Sequence, residues 1–122
     1  NIQDINTCSK MGITNIWISN HGGRMFNSGI STVDVLKKIQ HLRGKNNIIV
    51  DGGVRRGSDI LKYLCLGANL VGVGRPVIYG LICNGSKGVS KIFEILKSEL
   101  NTAMYNGGFR SLKDMKFNRL II

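Results

Sequence analysis

The chain has 122 residues, 43% of them hydrophobic, which is enough for one small globular domain. No apolar run approaches the ~20 residues that a transmembrane helix needs, so we expect no membrane span. The net charge is +10, from 17 Lys and Arg against 7 Asp and Glu, and such a basic surface attracts anions. The basic residues are spread along the chain and only 7% of residues are aromatic. This favours a small anion over nucleic acid as a partner, because nucleic-acid surfaces cluster basic and aromatic side chains.

The cysteine content indicates a reducing, intracellular environment. Cys8, Cys65 and Cys83 form no C-x-x-C pair, so we expect buried free thiols rather than a disulfide or a metal site. The chain begins at Asn1 without the basic and apolar segments of a secretory leader, and we interpret it as a segment of a longer protein. We expect a cytoplasmic location, with a mitochondrial one as the alternative.

The order of short apolar runs and amphipathic stretches predicts three strand–helix units. The first predicted elements are the end of a helix at Asp4–Gly12, a strand at Asn15–Ser19, a helix from Ser31 or Thr32 to Leu42, a strand at Ile48–Val50, and a helix from Ser58 or Asp59 to Leu66. They are followed by a strand at Leu70–Val73, a short helix at Val77–Cys83, a glycine-rich loop at Asn84–Gly88, a long helix at Val89–Tyr105, and a short helix or basic turn in the tail from Ser111. No low-complexity linker divides the chain, so we expect one partial domain.

The predicted strands are almost wholly apolar, which is typical of parallel strands covered by helices. Two architectures suit this α/β pattern: an open doubly wound sheet and a (β/α)8 TIM barrel. A barrel takes about 250 residues, so the chain would supply less than half of one. The position of the unusual residues along the strands is the feature that distinguishes the two.

Each predicted strand ends in polar or glycine-rich residues, in the segments Ser19–Arg24, Asp51–Gly57 and Gly74–Pro76. Barrels build their active sites at this end of the strands and commonly bind phosphate there. The glycines let backbone N–H groups approach an anion, and Arg55 and Arg75 would add forked, charged donors. The helices that begin after two of these strand ends would point their N-termini at the same anion. Either glycine motif alone is most often an ordinary turn, but together the two favour a phosphate site.

His21 and Arg24 share the loop after the first strand. A single histidine at a strand end is most often a hydrogen-bonded structural residue. With Arg24 three positions later, however, the guanidinium could bind a carboxylate while the imidazole takes a proton from the adjacent carbon or its hydroxyl. His41, at the end of a basic helix, has no such neighbour and is predicted to be exposed. Trp17 is predicted to pack between the barrel and the helices rather than to serve as a stacking platform.

Four motifs occur in a fixed order along the chain. They are Ser-Asn-His-Gly-Gly-Arg, Val-Asp-Gly-Gly-Val-Arg-Arg-Gly-Ser-Asp-Ile-Leu-Lys, Leu-Gly-Ala and Val-Gly-Val-Gly-Arg-Pro. Together they resemble the last part of the FMN-dependent 2-hydroxy-acid dehydrogenase family, the group of glycolate oxidase, lactate oxidase and flavocytochrome b2, and the similarity extends to about Leu112. The resemblance implies a (β/α)8 barrel of which this chain supplies strands six to eight. It also implies FMN as the cofactor and oxidation of an (S)-2-hydroxy acid, such as L-lactate or glycolate, to the 2-oxo acid.

The resemblance assigns a role to each matching residue. His21 matches the active-site base, Arg24 the arginine that binds the substrate carboxylate, and Ser19 a residue that contacts the flavin. The segments that hold the ribityl chain and phosphate of FMN are matched by Asp51, Gly52, Gly53, Val54, Arg55, Gly74 and Arg75. The resemblance implies no metal ligands.

The chain departs from the family pattern directly after Arg24. The family usually continues with Gln-Leu-Asp, whereas this chain has Met25, Phe26 and Asn27, so an amide replaces a carboxylate near the predicted site. The family's flavin-proximal lysine, its substrate-binding tyrosines and the carboxylate that orients the histidine would all precede Asn1. We therefore expect the chain to be inactive alone.

The sequence leaves the electron acceptor and the choice of 2-hydroxy acid open, with oxygen, a cytochrome or a quinone as acceptors. The resemblance favours a homotetramer for the full-length protein. Two alternatives remain at this stage: another phosphate-binding TIM-barrel FMN enzyme or isomerase, and a non-catalytic truncated product or basic binding module.

Overall fold

A computed structural model describes residues 1–42 and 44–115 of the chain. Four helices and three strands alternate along it. In chain order they are α1 (Ile2–Lys10), β1 (Asn15–Ile18), α2 (Thr32–Lys38), β2 (Asn47–Val50), α3 (Gly57–Cys65), β3 (Leu70–Val71) and α4 (Arg75–Asn106). One-turn 3-10 helices lie at His21–Gly23, Gln40–Leu42 and Leu112–Asp114. The last of these confirms a short helical turn in the tail, while residues 116–122 of that predicted tail lie outside the described residues.

The three strands form a parallel sheet in the order β1-β2-β3, which confirms the predicted strand–helix units. β1 ends one residue earlier than predicted, and β3 is shorter, ending at Val71 rather than Val73. The backbone of Gly72 still donates to Val50 O at 2.7 Å. Beyond that bond the chain leaves β2 through a turn at Gly52, whose φ of 109° is a conformation that favours glycine. Among the described residues, the end of β3 therefore has no partner strand with which to continue the ladder.

The core lies between the sheet and the first three helices. Burial alternates along β1, so that Ile16 and Ile18 face the helices, as the period of two residues in a strand requires. Val50 in β2 is fully buried, and Leu36 and Leu66 complete the centre of this core. Burying a side chain of this size contributes about 1.5–3 kcal/mol, so this face of the sheet is where the fold gains most of its hydrophobic stability.

The opposite face of the sheet is uncovered by the described helices. Trp17 in β1 is 63% exposed and Leu70 in β3 is 62% exposed. The prediction that Trp17 packs against helices is therefore wrong, because alternation places it on the face away from Ile16 and Ile18. The indole Nε1 of Trp17 instead donates a hydrogen bond to Asp51 Oδ2 at 3.1 Å.

Helix α4 is interrupted at Asn84 and Gly85, whose backbone angles are not helical. The prediction of two helices separated by a glycine-rich loop is confirmed in outline, but the interruption is two residues long rather than five. Gly80 and Gly88 pack together across the break, since a Cβ added to Gly88 would lie 1.9 Å from Gly80 O. The close approach of the two halves depends on these two glycines.

The three cysteines, all in the described part of the chain, form no disulfide, and their burial differs. Cys65 is buried, as predicted, and Cys8 is half-buried. Cys83 is exposed, so the prediction that it is buried is wrong, because it occupies the last turn before the break in α4. His41 is exposed, as predicted, and its Nε2 lies 2.9 Å from Asn6 Oδ1.

No helix among the described residues combines the length and apolar character needed to cross a bilayer. Within the same residues, no group of three or more His, Cys, Asp and Glu side chains is arranged to hold a metal ion.

Candidate active site

The loops that follow the three strands meet at the carboxyl edge of the sheet. Ser19, at the end of β1, donates a hydrogen bond from Oγ to Asp51 Oδ1, at the end of β2, over 2.7 Å. Arg75, at the start of α4, donates from Nη2 to the backbone oxygen of Gly22 in the β1 loop. All three loops are therefore in contact, and predicted site residues from each of them lie together.

The β1 loop, residues 19–24, has an unusual backbone. His21, Gly22 and Gly23 all have positive φ, at 52°, 65° and 74°. Positive φ is uncommon for a residue with a Cβ and marks sites where surrounding structure holds the chain in place. Two local bonds do so here, from His21 N–H to Ser19 Oγ and from Gly22 N–H to Asn20 Oδ1, each 3.1 Å long.

The side chains of His21 and Arg24 are exposed at this loop. Within the described residues neither side chain makes a hydrogen bond or an ion pair. The loop thus fixes their backbone by local bonds and leaves an imidazole and a guanidinium available to a ligand. This pairing can bind a carboxylate and accept a proton next to it.

The β2 loop, residues 51–57, is held from below by two buried hydroxyl groups that the sequence did not point to. Thr32 Oγ1 lies 2.8 Å from Asp51 O, and Tyr63 Oη donates to Gly52 O at 2.7 Å. The helix cap at the start of α2 is Ser31, which accepts from the backbone of Asp34, so the Thr32 hydroxyl is free for the loop. The one hint in the sequence was that both Ser31 and Thr32 could cap α2, so that one of the two hydroxyls was left for another partner.

The N-terminus of α3 differs from the prediction that it would face an anion. Asp59 Oδ2 accepts from the backbone N–H groups of Arg55 and Arg56, each at 3.0 Å. Glu99 Oε2, from α4, accepts from Gly57 N–H at 2.9 Å, and its Oε1 lies 2.8 Å from Arg56 Nη1. The Gly57 N–H bond and then the Arg56 guanidinium lower the pKa of Glu99. The chain's own carboxylates therefore occupy this helix end.

Two further cationic side chains of the site, Arg55 and Arg75, are both exposed. Arg55 donates from Nη1 to Val54 O at 2.9 Å, while Val54 itself is buried in the core and contributes only backbone to the edge. Gly74 caps α4 without a side-chain hydrogen bond. A Cβ added to Gly53 or Gly74 would meet no atom within 4 Å, so both glycines border open space.

The edge is an open surface in the described part of the chain. Two concave regions of about 320 and 390 Å³ lie elsewhere, one between α3 and α4 near Arg56 and Thr102, the other along α4 near Glu94. Neither contains a predicted site residue. The strand-end loops are thus recognised by their chemistry and contacts rather than by enclosure.

Comparisons with known proteins identify the family of the chain. The chain matches the FMN-dependent dehydrogenase family over residues 1–121. It is 46% identical over 111 residues to an L-lactate oxidase of Lentilactobacillus hilgardii, covering 90% of this chain and 30% of the relative. It is 44% identical over 111 residues to human 2-hydroxyacid oxidase 1, again covering 90% of this chain and 30% of the relative.

The fold also matches the flavin-binding domain of baker's yeast flavocytochrome b2, with a TM-score of 0.89 and 38% identity, covering 97% of this chain and 32% of that one. The chain spans about 30% of the length of the two relatives named above. The family resemblance drawn from the four motifs is confirmed, together with its FMN dependence. This chain belongs to the FMN-dependent dehydrogenase family.

Proposed function

We propose that residues 1–122 form part of a single (β/α)8 barrel domain, contributing strands six to eight, in an enzyme that oxidises an (S)-2-hydroxy acid such as L-lactate or glycolate to the 2-oxo acid. The observation that carries the proposal is the meeting of three strand-end loops at one edge. One loop presents His21 and Arg24, and the other two present arginines. The names of the relatives support the substrate class.

The uncovered face of the sheet supports a closed barrel over an open doubly wound sheet. Parallel sheets are covered on both faces or closed into barrels. Here the helices cover the face of Ile16 and Ile18, while Trp17 and Leu70 are exposed on the other. Additional parallel strands would turn this second face into a barrel interior. The relatives are about three times as long as the match, which is enough for five further strand–helix units.

The residues at the edge fit a phosphorylated polyol such as FMN. The carboxylate of Asp51 and the hydroxyl of Ser19 have the acceptor and donor groups that ribityl hydroxyls pair with. The guanidinium groups of Arg55 and Arg75 suit the phosphate. Gly53 and Gly74 let a ligand approach the backbone, because neither has a neighbour within 4 Å of an added Cβ. These residues, with Gly52 and Val54, would hold FMN, and the chemistry it would supply when bound is the uptake of two electrons and one proton from the substrate.

The chain's own side chains would bind the substrate and move its proton. Arg24 binds the carboxylate with paired N–H···O bonds, which orients the adjacent carbon and its hydroxyl. The substrate loses two protons with its two electrons as the hydroxyl carbon becomes a carbonyl, and His21 would accept one of these protons as the general base. The positive φ of His21 and the bond from its N–H to Ser19 Oγ fix the backbone from which the imidazole extends.

The experiment is purification of the complete barrel protein that contains residues 1–122, followed by anaerobic mixing with L-lactate, glycolate and mandelate. We expect bound FMN and bleaching of its visible absorbance by at least one acid, with the 2-oxo acid formed in equal amount. Oxygen consumption in air then separates an oxidase from a dehydrogenase, and light scattering tests the proposed homotetramer. Purified protein that lacks FMN and does not take it up, or FMN that no 2-hydroxy acid reduces, would overturn the proposal.

A further inference from the structure

Two buried hydroxyl groups lie directly beneath the Asp51–Gly52 turn. Thr32 comes from the first turn of α2 and Tyr63 from the last turn of α3, and each is only 4% exposed. Their hydroxyl oxygens lie 2.8 Å apart. Thr32 Oγ1 also lies 2.8 Å from Asp51 O, and Tyr63 Oη lies 2.7 Å from Gly52 O. The two helices thus join both carbonyls of the turn through one polar pair.

The pair has two protons for three contacts. Each hydroxyl carries a single hydrogen, while the contacts join the two hydroxyls to each other and to two carbonyl oxygens. Because the carbonyl oxygens can only accept, the two protons fill two of these contacts at a time, and the third contact has no proton. Loss of Tyr63 Oη would remove the donor to Gly52 O and leave Thr32 with Asp51 O. Loss of Thr32 Oγ1 would remove the donor to Asp51 O and leave Tyr63 with Gly52 O, so the two residues act on neighbouring carbonyls.

The turn above the pair has little room to move. Gly52 has a φ of 109°, and a Cβ added there would lie 3.1 Å from Thr32 Oγ1 and 3.2 Å from Asn20 Oδ1. The same turn carries the Asp51 carboxylate, which accepts from Ser19 Oγ on one oxygen and Trp17 Nε1 on the other. A shift of the turn would move this carboxylate, so its direction depends on the hydroxyl groups below.

We propose that Thr32 and Tyr63 are positioning residues that hold the Asp51–Gly52 turn in the orientation that binds the polyhydroxyl chain of the cofactor. This inference rests on the proposed function, because it takes the ligand of the turn to be FMN. A buried hydroxyl that is hydrogen-bonded adds only modestly to stability, and both of these hydroxyls lie within hydrogen-bonding distance of the carbonyls of one turn. The main role of the pair is therefore to orient the Asp51–Gly52 turn rather than to stabilise the core.

Tyr63 remains a donor under assay conditions. Burial, the largest cause, raises the pKa of Tyr63 above its ordinary value of 10.0, while the hydrogen bond with Thr32 opposes the shift. Asp51 and Asp59 add to the increase. The hydroxyl is consequently protonated at every pH at which the enzyme would be assayed, and its role is to orient rather than to exchange a proton.

The test compares Tyr63→Phe and Thr32→Val with Tyr105→Phe, a matched control because Tyr105 is 86% exposed, and with Thr32→Ser, which keeps the hydroxyl. All are made in the complete barrel protein. Three quantities are measured: backbone hydrogen exchange of residues 51–54 in the protein without flavin, the Kd for FMN from flavin fluorescence, and kcat at saturating FMN.

We expect Tyr63→Phe and Thr32→Val to speed exchange at residues 51–54 and to raise the FMN Kd roughly 2- to 10-fold, the loss of one neutral hydrogen bond, a larger effect than any on kcat at saturating FMN. Thr32→Ser and Tyr105→Phe should match the wild type in hydrogen exchange and in the FMN Kd. Unchanged exchange, or faster exchange with an unchanged FMN Kd, would overturn the positioning role and leave the proposed function intact. A wild-type protein that binds no FMN would overturn both the proposed function and this role, and is recognised before any variant is made.

Discussion

The loops after β1 and β2 share a polar first residue and two glycines with positive φ, yet they are held in different ways. The β2 loop is bonded to side chains from other elements, namely Thr32, Tyr63, Asp59 and Glu99. The β1 loop is bonded mainly to itself, through Ser19 and Asn20, with Arg75 as its contact from α4.

The difference matches the chemistry proposed for each loop. A loop that holds a cofactor gains from a backbone fixed at many points, because preorganisation lowers the cost of binding. A loop that binds and releases substrate gains from side chains with no partner in the protein, and His21 and Arg24 are such side chains within the described residues. The comparison predicts that changes of His21 and Arg24 in the β1 loop affect turnover or substrate binding, whereas changes in the β2 loop affect cofactor binding or stability.

The largest effect is expected for His21→Gln in the complete barrel protein. Loss of a general base lowers turnover by about 10²- to 10⁴-fold, and FMN content should stay at the wild-type level because the β2 loop is untouched. The measurement is steady-state turnover together with the flavin-to-protein ratio. His41→Gln is the control, since His41 is exposed and bonded to Asn6. Normal turnover in His21→Gln would refute the assigned role.

Arg24→Lys and Arg55→Lys test the two loops against each other. Lysine keeps the charge but loses the paired donors. A lost charge-assisted bond is worth about 1.5–3 kcal/mol, so Arg24→Lys should raise KM for the 2-hydroxy acid by roughly 10- to 100-fold with the FMN Kd unchanged. Arg55→Lys should raise the FMN Kd and leave KM near the wild-type value. The same parameter changing in both variants would contradict the division between the loops.

Gly57→Ala probes the packing beneath the β2 loop. A Cβ at this position would lie 2.0 Å from Leu100 N and 2.4 Å from the carbonyl carbon of Glu99, so α3 and α4 must separate. Overpacking of this kind costs about 1–3 kcal/mol, to be measured by urea unfolding. Ser58→Ala, the next position in α3, is the control. Equal stability of the two variants would show that α4 does not pack closely on this helix end.

The smallest effect concerns pH and Glu99. Because the pKa of Glu99 is lowered from 4.5 in the fold, its contribution to stability is present above that ordinary value and is lost as the pH falls through the lowered one. Glu99→Gln should reduce Tm slightly at pH 7, and the gap from wild type should close under acid conditions. Glu94→Gln is the control, since Glu94 pairs only with Lys91 among the described residues and is exposed. A Tm difference between Glu99→Gln and wild type that persists or widens in acid would contradict the predicted direction of the pH dependence.

Local signals accounted for the elements and for most of the candidate site. Apolar runs, glycines and caps gave the three strands and their order of helices, because each depends on neighbours within a few positions. The placement of His21, Arg55 and Arg75 after strands followed from the same signals, since parallel strands bring their carboxyl ends to one edge.

The amino-acid sequence by itself determined the strand–helix units, the family and which residues stand at the strand ends. Only the tertiary structure decided that Thr32 and Tyr63 support the β2 loop, that Glu99 occupies the start of α3, and that Arg75 reaches Gly22. It also decided that Trp17 lies on the uncovered face. These contacts join residues 31, 42 and 53 positions apart. No periodic pattern encodes such separations, because they arise only when packed helices bring distant side chains within hydrogen-bonding distance.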